Sequence, residues 1–404
     1  MKVGIPRALL YYWYGPAWKA FLSAAGLEPV VSPPTNKAIM TAGLKAAVDE
    51  ICLPVKVFIG HCLELQKNCD AILVPRLTSV ARKEYTCPKF MGLPDMVRRL
   101  LPRTPVLIWE SAGSFLPQRL WTPPGPGLLS EEESPDPAGQ AGTAGGITNG
   151  NAREIIPGIT RGRGRMKKAL AAAGKAHAIY TGLLRRGYLP EEAMAIADGL
   201  RGRPAGLRQK TKSPATGQDL PDTGARVGAH GEAKQDLIGL YGQGVKPDRV
   251  GVQRHGTKPG RVIGLVGHPY CLYDSFVNTG ILRFLQEEGC RLLTPEMLPE
   301  EKINAALKGL PKAIYWTMGR LALGASRLFR AYAREQAGVD GLIHVAAFAC
   351  GPEALIGELI KRECSREIPY LQIYLDEHTG EAGLHTRLEA FLDLAGGKER
   401  AGCV

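Results

Sequence analysis

The chain has 404 residues, 45% of them hydrophobic and 22% charged, with a formal charge of +12 and nine cysteines. That length exceeds what one ordinary hydrophobic core serves, so two domains of about 100 to 200 residues are expected, and the balanced composition excludes a fibrous or wholly disordered chain. Lys2 before an apolar run imitates an export signal, but Pro6, Arg7 and Gly15-Pro16 interrupt it and no window holds the roughly 18 apolar residues of a membrane span. A cytoplasmic protein without membrane attachment is expected, and in a reducing compartment its cysteines are buried thiols or metal ligands rather than a disulfide framework.

In chain order, apolar runs at 3–6, 29–32, 71–75 and 106–110 predict buried strands. Stretches with helical spacing, such as Leu44, Val48, Val57, Ile59 and Leu63, separate them. Strand and helix in alternation predict parallel βαβ units and a doubly wound domain over residues 1–121. Residues 122–155, rich in Pro, Gly, Ser and acid, carry too few apolar anchors to offset their ordering entropy and are expected to be a disordered insert.

A helical segment is predicted over 156–200, then a second disordered insert, Gly-rich and basic, over 201–258. Arg161, Arg163, Arg165, Lys167, Lys168 and the basic residues of that insert supply much of the positive charge. No aromatic residues are interleaved with it and no nucleic-acid motif accompanies it, so a solvated loop is expected and a nucleic-acid partner is not. From 259 to 396 the rhythm returns, with strands predicted at 261–267, 291–294, 341–349 and 369–375 and helices at 274–288 and 316–336. A tail, 397–404, carries Cys403. The predicted class is therefore α/β: two doubly wound parallel-sheet domains, Rossmann or flavodoxin-like, with a site between them.

Three cysteines share a feature that the other six lack: Cys52-Leu-Pro54, Cys87-Pro88 and Cys350-Gly-Pro352 each place a proline one or two residues after the thiol. Proline suits the first turn of a helix, whose orphan N–H groups and dipole favour a thiolate and the negative charge of a bound group. Cys350 ends a predicted strand, at the carboxyl edge where open α/β sheets bind ligands. Spacing alone leaves metal binding and plain burial both open for these three. Structural zinc fits poorly, since no closely spaced ligand pairs exist. Cys62 and Cys69, seven residues apart, read as buried thiols on one helix face.

Among other candidates, His268 and Tyr270 follow one predicted strand, and Asp376, Glu377, His378 and Glu381 follow another. His268, Glu377 and His378 are the candidate general acid or base groups, against helix capping and interdomain salt bridges as the alternative. Cys271 is a candidate fourth metal ligand. Glu353, just after Cys350-Gly-Pro, is expected to complement a helix N-terminus.

The strings VGIPRALLYYWYGPAWKAF, SPPTNK, VDEICLPVK, YTCPKFMGLPD, GHPYCLYD, FACGPE and LDEHTGEAGLHTRLEAF resemble the acyl-CoA dehydratase activase-related proteins, a D-component-like branch of the 2-hydroxyacyl-CoA dehydratase and benzoyl-CoA reductase family. The resemblance covers nearly the whole chain except about 122–155 and 201–258. It implies an oxygen-sensitive 4Fe-4S cluster on Cys52, Cys87 and Cys350, with the fourth iron position open or taken by a non-cysteine ligand. It further implies a low-potential electron delivered by a separate ATP-hydrolysing activase, and radical dehydration or reduction of an acyl-CoA. A related second subunit or a homodimer belongs to the same expectation. This chain has no GxxxxGK[ST] loop, which leaves ATP use to the partner. An accessory electron-transfer subunit without an acyl-CoA substrate, and a non-redox binding protein, are the competing functions.

Overall fold

The computed structural model describes residues 1–81, 84–114, 116–117, 119–121, 163–201, 260–334 and 338–396. The first half builds β1 (Lys2–Ile5), α1 (Tyr11–Ala24), β2 (Glu28–Val31), α2 (Lys37–Ala46), α3 (Leu53–Leu65), β3 (Ala71–Leu77), a hairpin of β4 (Ser79–Ala81) and β5 (Glu84–Tyr85), α4 (Pro88–Leu100), β6 (Val106–Ser111) and β7 (Arg119–Trp121). Its sheet runs β2-β1-β3-β6-β7, parallel except for the antiparallel edge strand β7.

The second half follows two helices, α5 (Arg163–Leu184) and α6 (Pro190–Arg201). It consists of β8 (Val262–Gly267), α7 (Pro269–Tyr273), α8 (Ile281–Glu287), β9 (Arg291–Leu293), α9 (Glu300–Ala306), α10 (Thr317–Arg334), β10 (Gly341–Ala347), α11 (Gly351–Cys364), β11 (Tyr370–Leu375) and α12 (Glu381–Ala395). Its four strands run β11-β10-β8-β9, all parallel. Numbered within each half, the two sheets share one strand order, second-first-third-fourth. In such sheets the crevice lies where the order reverses: between β1 and β3 here, and between β8 and β10. The α/β class with two doubly wound parallel sheets is what the alternation predicts.

Continuous apolar runs make these strands because both faces are covered: every residue of β10 is buried, and β3 is buried except Arg76. Trp18, Phe21 and Trp109 form the aromatic heart of the first half. Trp109 meets Phe21 at 5.0 Å and 77° and Trp18 at 6.4 Å and 63°, edge-on contacts that add about 0.5–1.5 kcal/mol each beyond area burial. Helix α1 runs through Pro16, whose ring removes the amide that would pair with the Tyr12 carbonyl. Tyr180 of α5 supplies the substitute, its hydroxyl donating to that carbonyl. Arg7–Glu191 and Lys19–Asp198 ion pairs fix α6 on the same side.

The two halves share one buried core, in which Leu10, Tyr12, Cys52 and Phe90 stand with Tyr270, Cys271, Val345 and Cys350. A polar latch crosses it. Buried His61 takes Ser32 Oγ at 2.8 Å on Nδ1 and Thr35 Oγ1 at 2.9 Å on Nε2, and Thr35 donates across the interface to Asp274 Oδ2 at 2.5 Å. Arg320 of α10 reaches Glu84 at 3.0 Å, and Tyr85 N donates to Tyr315 O at 2.6 Å, so the hairpin that leads into Cys87 is pinned to the second half.

Several expected elements differ. A continuous helix over 274–288 is replaced by turns and the short α8. Asp274 Oδ1 captures the amides of Phe276 and Val277, Asn278 Oδ1 captures that of Gly280, and Thr279 and Gly280 turn to positive φ. Side chains that bond the backbone locally compete in this way with a helix. Helix α3 ends at Leu65, so Cys69 lies beyond it and is not on the face of Cys62. Strand β10 stops at Ala347, leaving Phe348 and Ala349 between it and Cys350. The inserts expected at 122–155 and 201–258, apart from Arg201, and the 397–404 tail lie outside the described residues. Among the described residues no helix is long and apolar enough to cross a membrane.

Candidate functional site

Each proline-flanked cysteine is the N-cap of a helix: Cys52 of α3, Cys87 of α4 and Cys350 of α11, with proline in the first turn each time. His268, followed by Pro269, caps the short α7 in the same manner. At none of these four residues does the side chain accept a capping hydrogen bond, so the positive ends of the helices are left to act on neighbouring groups.

Close packing sets the helices in place. A Cβ on Gly43 of α2 would stand 2.0 Å from the Lys56 carbonyl oxygen, and one on Gly60 of α3 would stand 2.1 Å from that of Ile39. Only glycine permits this approach, which holds the Cys52 helix against α2.

Cys52 lies within electrostatic reach of both Cys87, in its own half, and Cys350, in the other. Burial raises the Cys52 pKa; the neighbouring Cys350 and Cys87 add to that rise, while Lys89 and the Val55 amide oppose it. Cys52 and Cys350 are buried and Cys87 is partly open. Cys271 lies in the same neighbourhood: burial first, then Glu353, Cys350 and Cys52, push its thiol well up. Ala349, immediately before Cys350, sits at φ 60, a strained conformation for a residue with a Cβ. Among the described residues no three His, Cys, Asp or Glu side chains are grouped as a set that could hold a metal ion.

A carboxylate lies behind Cys350. Glu353, only 1% exposed, is clasped by two imidazoles, His268 Nε2 at 2.5 Å from Oε2 and His344 Nε2 at 2.6 Å from Oε1. Burial would raise the Glu353 pKa, but the two histidines outweigh it and hold the carboxyl well below the usual carboxylate range. Burial would lower that of His268, yet Glu353 and Cys350 together lift it well above the ordinary imidazole value. The other His268 nitrogen meets the Tyr270 hydroxyl at 2.8 Å. A Cβ on Gly357 would come within 2.7 Å of the His344 ring, so α11 rides directly over this group.

His268 therefore lies among the thiols. Glu377 lies elsewhere, paired with the buried Lys56 of α3 at 3.0 Å, one helical turn from Cys52. A local backbone hydrogen bond and then Lys56 lower its pKa, the interdomain salt bridge that sequence offered as the alternative role. His378 is exposed, and its amide donates to Asp376 Oδ1 at 2.9 Å in a surface turn. Sequence reasoning missed His344 and took Glu353 for a helix-terminal charge. The available signal was a histidine inside the apolar strand GLIHVAAFA, where a buried polar group requires a partner.

Leu10, Trp13, Val80, Thr86, Trp316 and Met318 line a cleft that reaches Cys87, His268 and Tyr270. Trp13 Nε1 donates to Glu296 Oε1 at 3.1 Å, which fixes that wall.

Residues 2–298 match the family described as CoA enzyme activase uncharacterised domain. The chain belongs to that family. No curated protein matches it. In this activase-related protein Cys52, Cys87, His268 and Cys271 fall inside the matched region, and the β10–α11 segment with His344, Cys350 and Glu353 lies beyond it.

Proposed function

We propose that this activase-related protein carries a 4Fe-4S cluster on Cys52, Cys87 and Cys350 and receives a low-potential electron from an ATP-hydrolysing activase. Its substrate is an acyl-CoA thioester of the kind handled by 2-hydroxyacyl-CoA dehydratases and benzoyl-CoA reductases. The reading is supported by three helix N-termini, on elements of two separate sheets, that are each capped by a proline-flanked cysteine, with Cys52 within electrostatic reach of the other two thiols.

The residues fit such a group. A mononuclear site needs its ligands about 2.3 Å from one point. A cubane instead sets each thiolate on its own iron, so it accepts thiols arranged around a volume. Three helix dipoles and the nearby Lys89 favour its negative charge. When bound, the cluster supplies a single low-potential electron and an iron that polarises a thioester carbonyl.

In this reading helices α3, α4 and α11 hold the thiols, and the burial of Cys52 and Cys350 shields them from water. Trp13, Leu10, Val80, Trp316 and Met318 give Cys87 an apolar border.

The test is anaerobic reconstitution with iron and sulfide. The full chain should turn brown with about four irons, and Cys87→Ala should lose most of that absorbance. A colourless chain, or a Cys87→Ala protein with an unchanged spectrum, would sink the cluster reading. Acyl-CoA binding that perturbs the spectrum supports a substrate role; thioesters without effect assign the protein to electron transfer alone.

A further inference from the structure

We propose that β5, the short strand leading into Cys87, is a hinged strap on the cleft, closed by Glu84 on Arg320 and by Tyr85 on Tyr315, and that its opening controls access to the Cys87 thiol. The strap does not depend on the cluster reading above: it governs any metal ion or small electrophile that reaches this sulfur.

The hairpin is held differently at its base and along its arm. At the base, Thr86 N donates to Thr78 O at 3.0 Å and the Thr86 hydroxyl donates to Leu77 O, while Thr78 N reaches Ser111 O at 3.1 Å and Gly113 N reaches Ser79 Oγ at 2.6 Å. These bonds stay within the first half, and Ser79 and Thr86 are buried. The arm is held from across the cleft. Tyr85 N donates to Tyr315 O at 2.6 Å, Thr317 Oγ1 donates to Tyr85 O at 3.5 Å, and Glu84 faces Arg320 at 3.0 Å. Tyr85 itself is 50% exposed, so little apolar burial holds the arm down.

The ion pair is built to let go. Arg320 is buried, and besides Glu84 it has Glu300 at 3.3 Å and the Asn304 side chain, both on α9. When Glu84 swings out to water, the guanidinium keeps these partners, so opening strands no buried charge. The attraction of an enclosed ion pair recovers little beyond the cost of removing its charges from water. The Glu84–Arg320 contact therefore sets where the strap closes more than how tightly. Tyr85 and Thr86 form one lip of the cleft and Trp316 and Thr317 the other, with Cys87 and His268 behind them. Parting the strap from its partner segment separates the two lips.

The test uses the metal-free full chain. In native-state hydrogen exchange of the unmutated protein, the Tyr85 amide should show a protection factor about tenfold or more below that of Thr86, which is bonded within the base. Equal protection of the two amides overturns the strap. Alkylation of Cys87 by iodoacetamide, followed by peptide mass spectrometry, should run about tenfold faster in Glu84→Gln, while the buried Cys62 and Cys364 keep their rates. An unchanged Cys87 rate in that variant also overturns it. Should all three thiols speed up together, the variant has loosened as a whole, and the exchange comparison on the unmutated protein decides.

Discussion

Two buried histidines, each wired to groups across the molecule, have come to opposite charge states. In the latch, Ser32 Oγ accepts from Arg7 N at 2.8 Å and meets His61 Nδ1 at the same distance. Thr35 gives its own hydrogen to Asp274 and must accept from His61 Nε2. Burial first and Arg7 second push the pKa of that ring down to about 3, which keeps it neutral. His268 is equally enclosed, but its partner is a carboxylate instead of a hydroxyl, and the shift reverses. Burial sets the size of the stakes; the neighbour's charge sets the sign.

The largest effect is expected where the charged network is cut. Glu353→Ala strands two imidazoles in a dry core and should cost about 3–5 kcal/mol, read as a shift in the denaturant midpoint of the metal-free chain. A loss below about 1 kcal/mol would mean that the network adds nothing to folding.

A middle-sized effect concerns pH. Folded His61 stays neutral down to about 3, whereas in the unfolded chain it takes a proton below the ordinary value of 6.5. Stability present above 6.5 should therefore fall as pH drops toward 3, by about 1.4 kcal/mol per unit. His177, lowered to about 4 by burial, adds to the same limb. His61→Gln should make that limb shallower; an unchanged slope refutes the neutral assignment. The His268 contribution has the opposite sign, fully present below 6.5 and lost as pH rises through its elevated folded value.

The smallest effect concerns backbone strain, since a left-handed residue stands beside each network, Leu9 at φ 52 and Ala349 at φ 60. Ala349→Gly relieves about 1 kcal/mol of strain and loses about as much to unfolded-chain entropy. The thermal midpoint should hold or rise slightly, and a clear fall would show that the Ala349 methyl packs against the site.

Much of the fold was legible in the sequence because buried parallel strands are continuous Val, Ile and Leu runs, as in β3 and β10. The cysteine-capped helices were legible because proline tolerates few other positions. The hairpin of β4 and β5 and the antiparallel β7 were not: two- and three-residue strands carry no periodicity. The Glu353 clasp was hidden for another reason. His268, His344 and Glu353 come from three elements, and only the tertiary fold makes them neighbours.

The placement of the thiols also bears on how the chain is made. Cys52 and Cys87 leave the ribosome well before Cys350. The nascent first half must carry two unprotected sulfurs until the segment with Cys350 docks. Any loading of the site is thereby a late event, and the interval before it is when stray oxidants or competing metals would do their damage.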